Sequence, residues 1–205
     1  MGKLTTLIIL TILLLSGLAV ADDESIATLI SSCVACHGQA GEGNAELSAP
    51  RLAGQSKVYL AAQMAQFRDG RRGAHADDSA GATMRAIALT IPDTAIEPLA
   101  NHFSSLEAVH MAEELSGEED RGEYVYETTC LACHGARAEG STHLMAPNLK
   151  ILSYWYAVNQ LKSFRNGWRG ADTVGNTRAA WMRSIESHIS QEQLVDVMTY
   201  LTSIR

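Results

Sequence analysis

Cysteine occurs at only four positions, in Cys33-Val34-Ala35-Cys36-His37 and Cys130-Leu131-Ala132-Cys133-His134. Two thiols three positions apart, followed at once by an imidazole, suit covalent attachment of a c-type haem: the sulfurs add across two vinyl groups and the histidine ligates iron. On a helical turn this spacing puts both sulfurs on one side, with the imidazole projecting toward the same macrocycle. Other chemistries fit less well. A thioredoxin-like pair has no use for the histidine and normally follows a strand, where nothing here reads as one. A structural zinc site would draw its ligands from across nearly the whole chain. Disulfides would leave two histidines unexplained. The expectation is two covalently bound haem c groups, anchored by Cys33, Cys36, Cys130 and Cys133, with His37 and His134 on iron.

The elements that must position these groups also come twice. At an offset of 97 residues Gly38 falls on Gly135, Gly43 on Gly140, Pro50 on Pro147, Tyr59 on Tyr156, Gln63 on Gln160, Phe67 on Phe164, Arg68 on Arg165 and Arg72-Gly73 on Arg169-Gly170. One inserted residue later, Met84-Arg85 falls on Met182-Arg183. The chain is a tandem duplication. Each half is small for burying an independent core, so a large apolar cofactor fits as part of each interior.

The duplication also selects a sixth iron ligand. A thioether far along the chain favours ferrous iron and raises the potential. Of the methionines, Met64, Met145 and Met198 face Leu161, Ser48 and Ala100, and Met111 lies between the halves; only Met84 and Met182 recur. The spare histidines His75, His102, His143 and His188 do not recur as a pair. Met84 and Met182 are therefore the expected distal ligands, with Met145 in reserve because it closely precedes Pro147. Pro50 and Pro147 are expected to hold a backbone carbonyl against the histidine's other ring nitrogen.

Periodicity gives an all-α chain of short helices separated by glycine-rich loops: about 23–37, 56–67 and 93–106 in the first half, and 118–134, 154–164 and 190–203 in the second. Ser190-Gln191-Glu192-Gln193 reads as a capping box. The methionines fall in the loops reaching over the haem. Arg68, Arg72, Arg165 and Arg169 recur just before those loops and face either haem propionates or solvent. Arg71 and Arg85 read as solvated. Tyr59 and Tyr156 suit either the interface between halves or a propionate, and Trp155, Trp168 and Trp181 suit haem packing or core.

Residues 1–21 read as a secretory signal peptide: Lys3, the apolar run from Leu7 to Leu15, and Ala19-Val20-Ala21 before Asp22. A retained anchor is the alternative, although the run is short of the ~20 residues a span needs. Export to the periplasm follows, with the N-terminal domain at 22–108, a linker at 109–117 and the C-terminal domain at 118–205. The formal net charge is −7, and losing Lys3 makes the mature chain one unit more negative. That argues against nucleic acid and for steering toward a basic partner. Loose membrane association stays open, and the sequence is silent on oligomeric state.

Two CxxCH halves of this size, with Ala49-Pro50-Arg51-Leu52-Ala53-Gly54-Gln55, the stretch Tyr59 to Arg72, and methionines ahead of a C-terminal helix, resemble the dihaem cytochrome c4 family. The similarity spans essentially the whole mature chain. It implies two tandem class I cytochrome c domains related by an approximate twofold axis, with haem propionate edges facing each other. It also implies His37/Met84 and His134/Met182 axial pairs, and electron transfer from a quinol-oxidising complex to a terminal oxidase. Departures fall in the second half, which has Asn148-Leu149-Lys150-Ile151-Leu152-Ser153 at the Arg51–Ser56 register and no glycine matching Gly41. They bear on the partner surface and on the second haem's potential.

A similar dihaem fold serves as the electron-accepting subunit of flavocytochrome c sulfide dehydrogenase, which makes a bound subunit of a periplasmic dehydrogenase the alternative to a free shuttle. A dihaem peroxidase or gas sensor would need one open or displaceable iron position. A methionine in both halves argues against it, so the reading is an electron carrier and not an enzyme.

Overall fold

The computed structural model describes residues 20–108, 114–171 and 177–204. The expected leader lies outside them but for Val20 and Ala21, and so does most of the expected linker. Among the described residues nine α-helices run in order: α1 (Val20–His37), α2 (Lys57–Arg68), α3 (Ser79–Ala88), α4 (Asp93–Ser105), α5 (Glu119–Val125), α6 (Leu131–His134), α7 (Tyr154–Arg165), α8 (Thr177–Glu186) and α9 (Gln191–Ser203). No strand occurs among the described residues. The described residues are all-α and fold as two tandem helical units, α1–α4 and α5–α9.

In the first half α1, which ends in the Cys-x-x-Cys-His motif, packs against α4; in the second α5, which leads toward that motif, packs against α9. The first core joins Ile91, Ala95 and Leu99 to Ile26, Leu29, Ile30, Met64 and Ile96. The second is larger and includes Val125, Tyr126, Leu194, Val197, Met198, Tyr200 and Leu201. Gly122 makes the second crossing close, since a Cβ there would lie 2.1 Å from the Asp196 carbonyl oxygen. Asp196 locks the same crossing: its carboxylate is 1% exposed, accepts from the Glu118 N–H at 2.8 Å, and pairs with Arg121. The expected capping box opens α9, with Gln193 N donating to Ser190 Oγ at 3.1 Å and Ser190 N to Gln193 Oε1 at 2.9 Å.

Two features depart from the periodicity. The methionines expected in loops sit inside helices, Met84 in α3 and Met182 in α8. An alanine-rich run sustains α3, and Asp78 caps it by accepting from Gly81 N at 2.9 Å. The expected single helix over 118–134 is interrupted by a π-helical turn, Tyr126–Cys130, between α5 and α6. Its counterpart in α1 is regular.

The halves meet through reciprocal hydrogen bonds. Gln55 donates from Nε2 to the Asn148 carbonyl at 3.1 Å and accepts the Asn148 N–H at 2.9 Å, while Arg51 Nη1 donates to the Ile151 carbonyl at 3.1 Å. The divergent stretch from Asn148 therefore faces its own N-terminal half.

Candidate haem sites

Each site is built by one helical turn and the loop that returns to it. None of the four cysteines is paired in a disulfide. Burial pushes the Cys33 thiol up, reinforced by Cys36, and burial with Cys133 raises Cys130 to about 11. His37 and His134 are 7% and 8% exposed. His37 Nδ1 lies 2.7 Å from the Pro50 carbonyl oxygen and His134 Nδ1 lies 3.1 Å from that of Pro147. With Nδ1 as donor, the lone pair of each ring is left on Nε2. Burial lowers both imidazole pKa values despite that bond, which favours the neutral, ligating form.

Glycine lets the loop come back so closely. Gly43 and Gly140 have φ of 87° and 85°, open to glycine and strained for other residues. A Cβ would meet Arg51 N at 2.7 Å in the first case and Ala146 O at 2.6 Å in the second. Their N–H groups donate to the carbonyls of His37 and His134, each at 2.7 Å. Between the glycine and the proline a small turn closes with paired bonds, Asn44 with Ala49 and Ser141 with Ala146. Met145 is the left-handed residue of that turn, φ 51°, as Ser48 is in the first half, φ 53°. It is thereby tied to the histidine's side of the site, two residues from the carbonyl that accepts from His134. The missing counterpart of Gly41 (φ 68°) is met by Ala138, fully buried with φ 55°, whose carbonyl accepts from Leu149 N at 2.8 Å.

Tyr126 is a contact that neither the periodicity nor the repeat singles out. It is fully buried on the π-helical turn, and its hydroxyl donates to the Gly135 carbonyl at 2.6 Å, directly behind His134. Leu29 holds this register in the first half, so the hydroxyl has no repeated signal. Its pKa is pushed up, first by burial and then by the neighbouring Cys130 and Glu139.

Met84 and Met182 are half-buried in their helices. Close glycine contacts hold those helices to the rest of each half: a Cβ at Gly73 would lie 2.2 Å from Gly81 O in α3, and one at Gly170 would lie 2.3 Å from Ala179 O in α8. Other methionines have different places, Met198 in the core at 2% exposure and Met64 packed against the first core. His75 stacks on Trp168 with ring centroids 5.6 Å apart, His102 meets Phe103 edge-on, and His188 Nδ1 bonds the Ser184 carbonyl. No cluster of three or more His, Cys, Asp or Glu suited to a metal occurs among the described residues.

The four recurring arginines divide. Arg68 pairs with Asp93 and Arg165 with Glu186 at 2.5 Å. Arg72 and Arg169 are instead buried between the halves, where Tyr156 also lies. Arg85 is half-buried against Gly70 rather than solvated. Trp181 is 52% exposed and is not a core residue.

The donor set fits the expected group. Paired free thiols and an adjacent buried imidazole with its outer nitrogen already committed suit thioether-bound haem iron and little else. Comparison with known proteins agrees. The cytochrome c family matches residues 24–107 and again 119–205. The chain belongs to the cytochrome c family, as a dihaem member of its cytochrome c4 group. It is 30% identical to a cytochrome c4 of Pseudomonas aeruginosa over the full length of both chains. It is also 30% identical to a thiosulfate dehydrogenase electron acceptor of Thiomonas intermedia, covering 77% of this chain and 73% of that one. The solved cytochrome c4 of Acidithiobacillus ferrooxidans superposes with a TM-score of 0.68 at 28% identity, over 84% of this chain and 99% of the other. The protein is an electron-carrying cytochrome with two covalently bound haem c groups.

Proposed function

We propose that this cytochrome works in the periplasm, taking electrons from a quinol-oxidising membrane complex and passing them to a terminal oxidase. The haem iron supplies the one-electron couple. The chain's own residues do the rest. Cys33, Cys36, Cys130 and Cys133 would anchor the macrocycles, and His37 with Met84, and His134 with Met182, would be the protein ligands of the two irons. Closed sites keep geometry nearly constant between redox states, which suits outer-sphere transfer. The mature halves are read as 22–108 and 118–205, joined at 109–117.

The observation that carries this reading is the repetition of one complete site: a carbonyl-bound histidine beside two thiols, and a helix-borne methionine at the same register in each half. A second reading rests on the resemblance to the thiosulfate dehydrogenase electron acceptor: the chain accepts electrons from a periplasmic dehydrogenase. The two are separated by stopped-flow mixing of the reduced and oxidised protein with membranes and with a purified thiosulfate dehydrogenase. Rapid, salt-sensitive oxidation by membranes that contain a terminal oxidase supports the first reading. Rapid reduction only by the dehydrogenase, with inert membranes, replaces it with the second.

A further inference from the structure

We propose that Glu186, through its ion pair with Arg165, is a positioning residue that holds Met182 on the second iron, and that the first half, wired differently at the same register, holds Met84 less firmly. The two methionine helices are tied alike near their first turns. Gly73 touches α3 at Gly81 and Gly170 touches α8 at Ala179, and each helix packs on the one before it, α3 on α2 and α8 on α7. They differ at their last residues. α3 ends in Ala88, whereas α8 ends in Glu186, at the same register and about one helical turn beyond Met182.

Arg68 and Arg165 end α2 and α7 at one register, yet each takes its carboxylate from a different place. Arg68 pairs with Asp93, the first residue of α4, whose side chain is 84% exposed. Arg165 does otherwise, because Gln191 stands at the register of Asp93 and donates to the Tyr154 hydroxyl at 2.6 Å. It pairs with Glu186 at 2.5 Å and also donates to the Ile189 carbonyl at 3.3 Å. Tyr154 in turn stands where the first half has Lys57. These exchanges between the copies move one salt bridge from the last helix of a half to its methionine helix.

Burial makes that move consequential. Glu186 is 1% exposed, and its Oε1 faces Arg165 out of line for a hydrogen bond, so the charge is offset by the ion pair itself. Lys162 borders the same cleft, with Ser190 and Gln191. Small displacements of α8 from α7 would part the charges before water reaches the carboxylate, so the barrier to lifting the helix rises even where the end states balance. Met84 meets no such barrier. Ala88 is fully buried and uncharged, and Arg68 ties α2 to α4, leaving α3 out of the pair.

The inference rests on methionine ligation as read above. It is tested on the ferric holoprotein by the kinetics of cyanide binding, which follow local opening of the methionine helix. Wild-type protein should bind cyanide in two phases, and the slow one should survive in Met84→Ala. Glu186→Ala should speed that phase about tenfold and leave the other unchanged. Glu186→Ala with Gln191→Asp copies the wiring of the first half: Arg165 regains a carboxylate at the start of α9, so thermal melting should return toward wild type while the phase stays accelerated. If Glu186→Ala alone fails to fold, the double variant decides. Recovery of the slow phase in that double variant would overturn the proposal, since any partner for Arg165 would then serve. So would a slow phase that belongs to the N-terminal half, or a single phase in the wild type. A wild-type protein without the methionine-to-ferric-iron band would defeat the ligation reading and this inference with it, whereas an intact band with any of those kinetic results overturns the inference alone.

Discussion

His37 holds the Pro50 carbonyl at 2.7 Å, whereas the equivalent contact between His134 and Pro147 is 3.1 Å. A shorter bond from Nδ1 makes the imidazole a stronger electron donor to iron and stabilises the ferric state. The N-terminal haem is therefore expected to have the lower potential. Potentiometry of the two halves, told apart by the Met84→Ala and Met182→Ala variants, checks the order.

Each of those substitutions should open one iron and lower its potential, leaving the other half nearly unchanged. Loss of a thioether removes a ligand that favours ferrous iron. The readout is the methionine-to-ferric-iron absorption band, which should fall by about half in each variant if the two sites contribute equally.

Gly140→Ala should cost at least about 2 kcal/mol, since a left-handed non-glycine residue alone costs roughly 1–2. The added Cβ would also lie 2.6 Å from Ala146 O. Because the loop carries the Pro147 carbonyl, thermal melting should fall together with the fraction of protein that keeps its second haem in the low-spin state.

Acid should loosen the C-terminal half through Asp196. The Arg121 hydrogen bond, aided by the Glu118 N–H, holds its carboxyl below the usual range. A folded-state pKa below the unfolded one means stability present above about pH 4 and lost as pH falls through the folded value. Asp196→Asn should destabilise the α5–α9 crossing at neutral pH and flatten the acid limb of a denaturation series monitored by circular dichroism.

How much of this was legible depends on how local the cause is. The haem motifs, the proline carbonyls and the Ser190 capping box follow from residues within one loop or turn, and the sequence pattern located each. The methionine helices were hidden by flanking glycines that read as loop, although Asp78 ahead of an alanine-rich run was a usable capping signal. The π-helical turn at Tyr126 depends on a one-residue slip in backbone bonding, which leaves no periodic trace. Arg72 and Arg169 were visible as repeated positions, but they are buried between the halves. Register alone does not say who meets whom.

Both irons are expected to be closed, by His37/Met84 and His134/Met182. The most direct test is the visible spectrum of the reduced, purified holoprotein before and after carbon monoxide. Closed irons should give low-spin c-type bands that carbon monoxide leaves unchanged. A substantial shift would show an open iron, contradict the methionine assignment in that half and return a gas-binding or peroxidatic role to contention.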